Sequence, residues 1–193
     1  MVDEVLGEEF AGVLVSDFYA AYNHYPGMKQ RCWAHLLREV HDLRVLHPDD
    51  ATVQDWATQV HELFLEAKRE AASRTRSGPD QQRLKGELER RLWAINAPYA
   101  EDATAPQRKL AARMQRFVEE LFVFVTEPAC PADNNPAERS LRHLVTSRKI
   151  SGGTRSDKGT DTKMALSSLF GTWHARGLNP WLACQEMLAA PQV

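Results

Sequence analysis

Apolar residues recur at three- and four-residue intervals along much of the chain, the spacing of helices that bury one face. Trp33, Leu36, Leu37, Val40 and Leu43 predict one helix within residues 29–46, ended by Pro48. Val53, Trp56, Val60, Leu63 and Phe64 predict a second; Leu84, Leu88 and Leu92 a third; Leu110, Met114, Phe117 and Leu121 a fourth. Residues 73–80, "SRTRSGPD", read as the loop between the second and third, and residues 95–106, "INAPYAEDATAP", as the break before the fourth. One stretch has a different character. Residues 10–17, "FAGVLVSD", form a short Val-rich run that reads as a buried strand with Asp17 at its carboxyl end.

After a second break, "EPACPADNNP", a helix carrying Glu138 is expected, then a glycine-bearing loop, "SRKISGGTRSDKG". A further helix is predicted over roughly residues 162–175, with Gly177 placed to end it. The last helix opens with Asn179 as N-cap and Pro180 in the first helical position. A single strand leaves backbone groups unpaired on both edges. Its partner is therefore sought in "VDEVL" (residues 2–6), in "HLVTS" (residues 143–147), or in polypeptide outside these 193 residues.

Composition narrows the class. With 193 residues, 43% hydrophobic and 26% charged, the chain has the make-up of a soluble domain, or of a domain with a sizeable insertion. No apolar run approaches the roughly 20 residues of a membrane span, and the acidic N-terminus lacks the features of a signal peptide. A cytoplasmic protein is expected. Cys32, Cys130 and Cys184 stand far apart, which predicts reduced thiols. The net charge of −2 averages over unequal segments. Residues 1–30 are acidic. Between Arg139 and Lys163 the balance turns basic, with Arg142, Arg148, Lys149, Arg155 and Lys158 against Asp157 and Asp161. Such a segment suits DNA phosphates, and equally a solvated helix face.

The candidate chemistry is carboxylate chemistry. Magnesium is a hard ion held by one or two carboxylates, water and phosphate, and two such ions serve phosphoryl transfer. Asp17 and Glu138 are the candidates. Each has a plain alternative: Asp17 as a turn residue, Glu138 as the acid of a capping box behind Asn135. Cys32 and His35 have the spacing of half a zinc site, but no second pair is available. "SGGT" lacks the spacing of a P-loop.

Five motifs in order, "GVLVSDFYAAYN", "CWAHLLREV", "DNNPAERSLR", "RKISGGTRSDKG" and "GLNPW", resemble transposases of the insertion sequence 66 type. The resemblance runs from about Leu6 to Leu188. It implies a mostly α protein with a small β component: an incomplete ribonuclease-H-like core with a helical insertion. Residues 1–45 would supply a core strand and its following helix, 46–130 the insertion, and 131–193 the glutamate helix and the C-terminal helices. It further implies that Asp17 and Glu138 are two carboxylates of an Asp-Asp-Glu site holding Mg2+ or Mn2+. Arg139, Arg142, Arg148, Lys149, Arg155 and Lys158 would then lie toward DNA, either the element ends or the target.

In this family the first aspartate lies on an earlier strand, well upstream of the Ser-Asp-Phe-Tyr segment, and Asp3 and Glu4 are too close to Asp17 to replace it. The expectation is thus a catalytic-domain fragment, active in cleavage and strand transfer when completed by upstream sequence. It would derive from a truncated or split reading frame, and whether it acts as an enzyme alone stays open. The alternative is a catalytically inactive truncated transposase acting as a DNA-binding or regulatory remnant. Expected protein partners are further copies of the chain or a full-length transposase, with no membrane partner.

Overall fold

The computed structural model describes residues 7, 10–73 and 77–189. Among the described residues the chain is mostly helical, with one small parallel sheet, and it divides into two units at residues 134/135.

The first unit opens with strand β1 (Leu14–Ser16), a 3-10 turn (Ala20–His24) and strand β2 (Lys29–Arg31). The strands run parallel, with Leu14 opposite Lys29, Val15 opposite Gln30 and Ser16 opposite Arg31. Leu14 N–H donates to Met28 O at 2.9 Å and Cys32 N–H to Ser16 O at 2.8 Å, extending the ladder at both ends. Parallel neighbours need a crossover of about a dozen residues, and residues 17–28 provide it.

This pairing corrects two expectations. The partner of the strand is Lys29-Gln30-Arg31, which the hydrophobic spacing had assigned to the helix that follows. "HLVTS" is helical, while "VDEVL" lies outside the described residues. The reason is physical. β2 carries no apolar side chain, yet Gln30 and Arg31 are fully buried because each polar group has a partner. Gln30 Nε2 donates to Leu121 O at 3.1 Å, and Gln30 Oε1 accepts from Phe124 N–H at 3.0 Å.

Among the described residues, six helical segments follow in this unit: α1 (Trp33–Leu46), α2 (Ala51–Ala72), α3 (Gly78–Ala100), α4 (Arg108–Arg116), α5 (Val118–Leu121) and α6 (Val123–Thr126). Asp50 caps α2, its Oδ1 accepting from Thr52 N–H at 2.9 Å and Val53 N–H at 3.2 Å. The predicted stripes meet in one core: Trp33, Leu36 and Val40 face Trp56, Val60, Leu63 and Phe64, with Leu88, Leu92, Met114 and Phe122. The Trp33 ring lies 4.9 Å from Phe64 and 5.4 Å from Phe122 between centroids. Burying side chains of this size stabilises by about 1.5–3 kcal/mol each.

Helix α3 overruns the expected break at residue 95. It continues through Pro98 to Ala100 because Asn96 is buried, accepting from Trp56 Nε1 at 3.0 Å and donating to Leu92 O at 2.8 Å. Proline costs a helix one hydrogen bond, and here it falls in the last turn. The predicted fourth helix is three short segments, broken at Phe117 and Phe122, whose backbones leave the helical region.

The second unit holds α7 (Asn135–Ser151), α8 (Asp157–Ala175) and α9 (Pro180–Ala189). Helix α8 starts earlier than the expected residue 162, because Ser156 Oγ accepts from Gly159 N–H at 3.1 Å and caps it. It ends as expected. Gly177 takes φ +69°, and the N–H groups of Gly177 and Leu178 bond to the carbonyls of His174 and Trp173. Asn179 caps α9 through Trp181 N–H at 2.9 Å. No helix among the described residues is long and apolar enough to cross a membrane.

Candidate functional site

Asp17 follows β1 directly. Its Oδ1 accepts from Tyr19 N–H at 2.9 Å, the local turn that aspartate favours. Among the described residues, its second carboxylate oxygen has no hydrogen-bond partner. The Asp17 carbonyl is held from two sides, by Ser16 Oγ at 3.1 Å and by Arg31 Nη1 at 2.9 Å. Next to it, the Phe18 ring packs edge-on against Phe117 at 5.7 Å, and the Arg113 guanidinium sits 5.2 Å from the Phe18 centroid. Arg113 in turn makes two hydrogen bonds, of 2.6 and 2.8 Å, with Glu39 on α1. The surroundings of Asp17 are therefore built by β2, α1, α4 and α5 together.

The most constrained group beside Asp17 is Arg31, whose side chain is fully buried. Nε donates to Glu120 Oε2 at 2.6 Å and Nη2 to Asn23 Oδ1 at 2.7 Å, while the Phe117 ring lies 4.6 Å from the guanidinium carbon. The hydrophobic pattern gives no sign of Arg31, Asn23 or Glu120 as site residues. The one available signal is an arginine immediately before the apolar "CWAHLL", a position that burial would claim if the segment were a strand.

Glu138 stands in the first turn of α7, in the second unit. An acid there is favoured by the positive end of the helix. The six basic candidates are all exposed. Arg139 and Arg142 line an open hollow of ≈660 Å³ along α7 with His143, Thr146, Ser147 and Ile150. Lys158 lines a second hollow, of ≈720 Å³, with His143, Ser156, Gly159, Thr162 and Lys163. Lys163 Nζ, donating to Ser147 Oγ at 3.0 Å, ties α8 to α7. Arg148, Lys149 and Arg155 line neither hollow. The loop between the helices turns through Gly152 and Gly153 at φ +70° and +90°, a conformation that requires glycine.

The profile of the Transposase IS66 family matches residues 1–162, a span holding Asp17, Glu138 and all six basic candidates. The chain belongs to this transposase family. Two curated relatives, both from Sinorhizobium fredii, carry names that state no function. This IS66-family chain is 40% identical to uncharacterized protein y4jO over 73 residues, 38% of the chain and 23% of that protein. It is 24% identical to uncharacterized protein y4qI over 192 residues, 90% of the chain and 35% of that protein. It thus spans between about a quarter and a third of these relatives' length. No solved structure matches it.

Proposed function

We propose that this chain is part of the catalytic domain of a DNA transposase, built on a ribonuclease-H-like core. Asp17 and Glu138 supply two of the carboxylates that hold Mg2+ or Mn2+. The observation that carries this reading is the family match, which covers both carboxylates and the six basic candidates. The donor chemistry fits. Both residues offer hard oxygen ligands, and Asp17 keeps one carboxylate oxygen clear of protein partners among the described residues while Tyr19 N–H orients the other. When bound, the divalent ion would supply activation of the attacking oxygen and stabilisation of the leaving one. The chain's own residues do the rest: the turn at Asp17 orients a carboxylate, the first turn of α7 presents another, and Arg139, Arg142, Arg148, Lys149, Arg155 and Lys158 engage the DNA backbone of element end or target.

Assayed within the complete transposase reading frame, Asp17→Ala and Glu138→Ala are each expected to reduce Mg2+-dependent cleavage at element ends by about 100-fold or more. The thermal transition should stay close to wild type. Cleavage at the wild-type rate by both variants rejects the assignment.

The exposed basic residues of α7 and its following loop favour a second reading, a DNA-binding or regulatory chain without catalysis. The same assay separates the two. A regulatory chain added in trans would inhibit an intact transposase, whether or not Asp17 and Glu138 were present.

A further inference from the structure

We propose that Arg31 is a positioning residue for Asp17, fixing the metal-holding carboxylate to the helical scaffold through Glu120. The inference rests on the reading of Asp17 as a metal ligand. Three observations carry it. First, Arg31 is fully buried, and a buried guanidinium persists only where its charge and its donors are satisfied. Second, its three nitrogens point three ways: Nε to Glu120 at 2.6 Å, Nη1 to the Asp17 carbonyl at 2.9 Å and Nη2 to Asn23 Oδ1 at 2.7 Å. Glu120 alone would neutralise the charge. The other two bonds instead grip both ends of residues 17–23, the segment that presents Asp17.

Third, the neighbouring cation repeats the pattern. Lys29 Nζ lies 3.4 Å from Glu120 Oε1 and donates to the carbonyls of Asn23 and Tyr25 at 3.4 and 3.1 Å. Both basic side chains of β2 thus join the same turn to the same glutamate. Only arginine can do what Arg31 does here, because its planar fork offers several fixed donor directions and stacks on a ring, as it does on Phe117 at 4.6 Å. Metal sites tolerate ligand displacement of about 0.5 Å, so an anchored carbonyl one bond from the Asp17 Cα bears directly on metal affinity.

The test uses the purified chain and Mn2+ alone, read by paramagnetic broadening of the Asp17, Phe18 and Tyr19 amide signals. Hydrogen exchange of Tyr19 N–H, which bonds to Asp17 Oδ1, is measured in parallel. Arg31→Lys keeps the charge but loses the fork. Asn23→Ala removes one arm at a half-buried position and covers the case in which Arg31→Lys does not fold. Both are expected to raise the Mn2+ concentration for half-broadening about tenfold, as loss of a ligand's supporting partner does, and to speed Tyr19 exchange. Val60→Ala, a core truncation remote from the turn, is the stability control and should lower the melting temperature without either effect. Wild-type Mn2+ midpoints and Tyr19 exchange in a folded variant overturn the proposal. If Asp17→Asn leaves Mn2+ broadening unchanged, the metal reading of Asp17 fails instead. Tyr19 exchange then decides the hold by Arg31 by itself: faster exchange in Asn23→Ala upholds it, and unchanged exchange overturns it.

Discussion

Cys130 is a half-buried thiol at the end of the first unit, and its surroundings make it a poor nucleophile. Burial, together with the charge of Glu127, pushes it up to about 11. A thiol reacts as its thiolate, so the alkylation rate of Cys130 should keep climbing about tenfold per pH unit past pH 9 and level off only near pH 11. Iodoacetamide labelling followed by peptide mass spectrometry measures this, and a plateau below pH 9 would contradict the burial argument. Asn96 makes a second case at this scale. It satisfies Trp56 Nε1 inside the core, and both residues are fully buried. Asn96→Ala should cost about 1–3 kcal/mol, because a buried donor is left without a partner. Urea unfolding gives the value, and a change below about 0.5 kcal/mol would mean that the core supplies another acceptor.

Among the elements, the ends at Gly177 and Asn179 were legible, whereas the Ser156 cap that starts α8 and the run of α7 to Ser151, through residues expected in the glycine-bearing loop, were not. Gly177 stops α8 at the expected place because only a residue tolerant of positive φ closes that turn. Gly177→Ala should destabilise the last turn of α8 by about 1 kcal/mol, seen as roughly fivefold faster amide exchange over residues 172–178. Helix α3, in contrast, runs past its expected end because Asn96 and Ala100 are buried against other elements. The break at Phe117 and Phe122 follows the same logic. Phe122 packs on Trp33 in the core, and Phe117 lies beneath the Arg31 guanidinium. An unbroken helical stripe does not aim both rings at those targets.

At the scale of the whole molecule, the two units differ in how they use their side chains. The first has a continuous apolar core reaching from Trp33 to Ala132. In the second, none of the residues whose burial is described is buried, and Leu141, Ile150, Trp181 and Leu188 are exposed. On the proposed reading, in which the basic positions face DNA, binding would proceed by counterion release. If all six basic candidates meet phosphates, affinity should fall roughly 10³-fold between 50 and 200 mM salt. Fluorescence anisotropy with a labelled duplex tests this, and charge-neutral substitution at Arg148 or Lys149 should reduce the slope by about one per residue. A salt-independent affinity would remove these residues from the interface.

What the sequence determined by itself were the features governed by local chemistry: helical stripes, the cap at Asn179, the glycine stop at Gly177 and the position of Asp17 at a strand's end. The family followed from ordered motifs and is shown by the match over residues 1–162. Only the tertiary structure decided that Lys29-Gln30-Arg31 is a strand, and that Arg31 is the buried group behind Asp17. Polar residues are assigned to the surface by hydrophobic pattern alone. They enter the interior when partners far along the chain, here Glu120, Leu121 and Phe124, satisfy every donor and acceptor, and no periodicity within residues 29–31 encodes those partners.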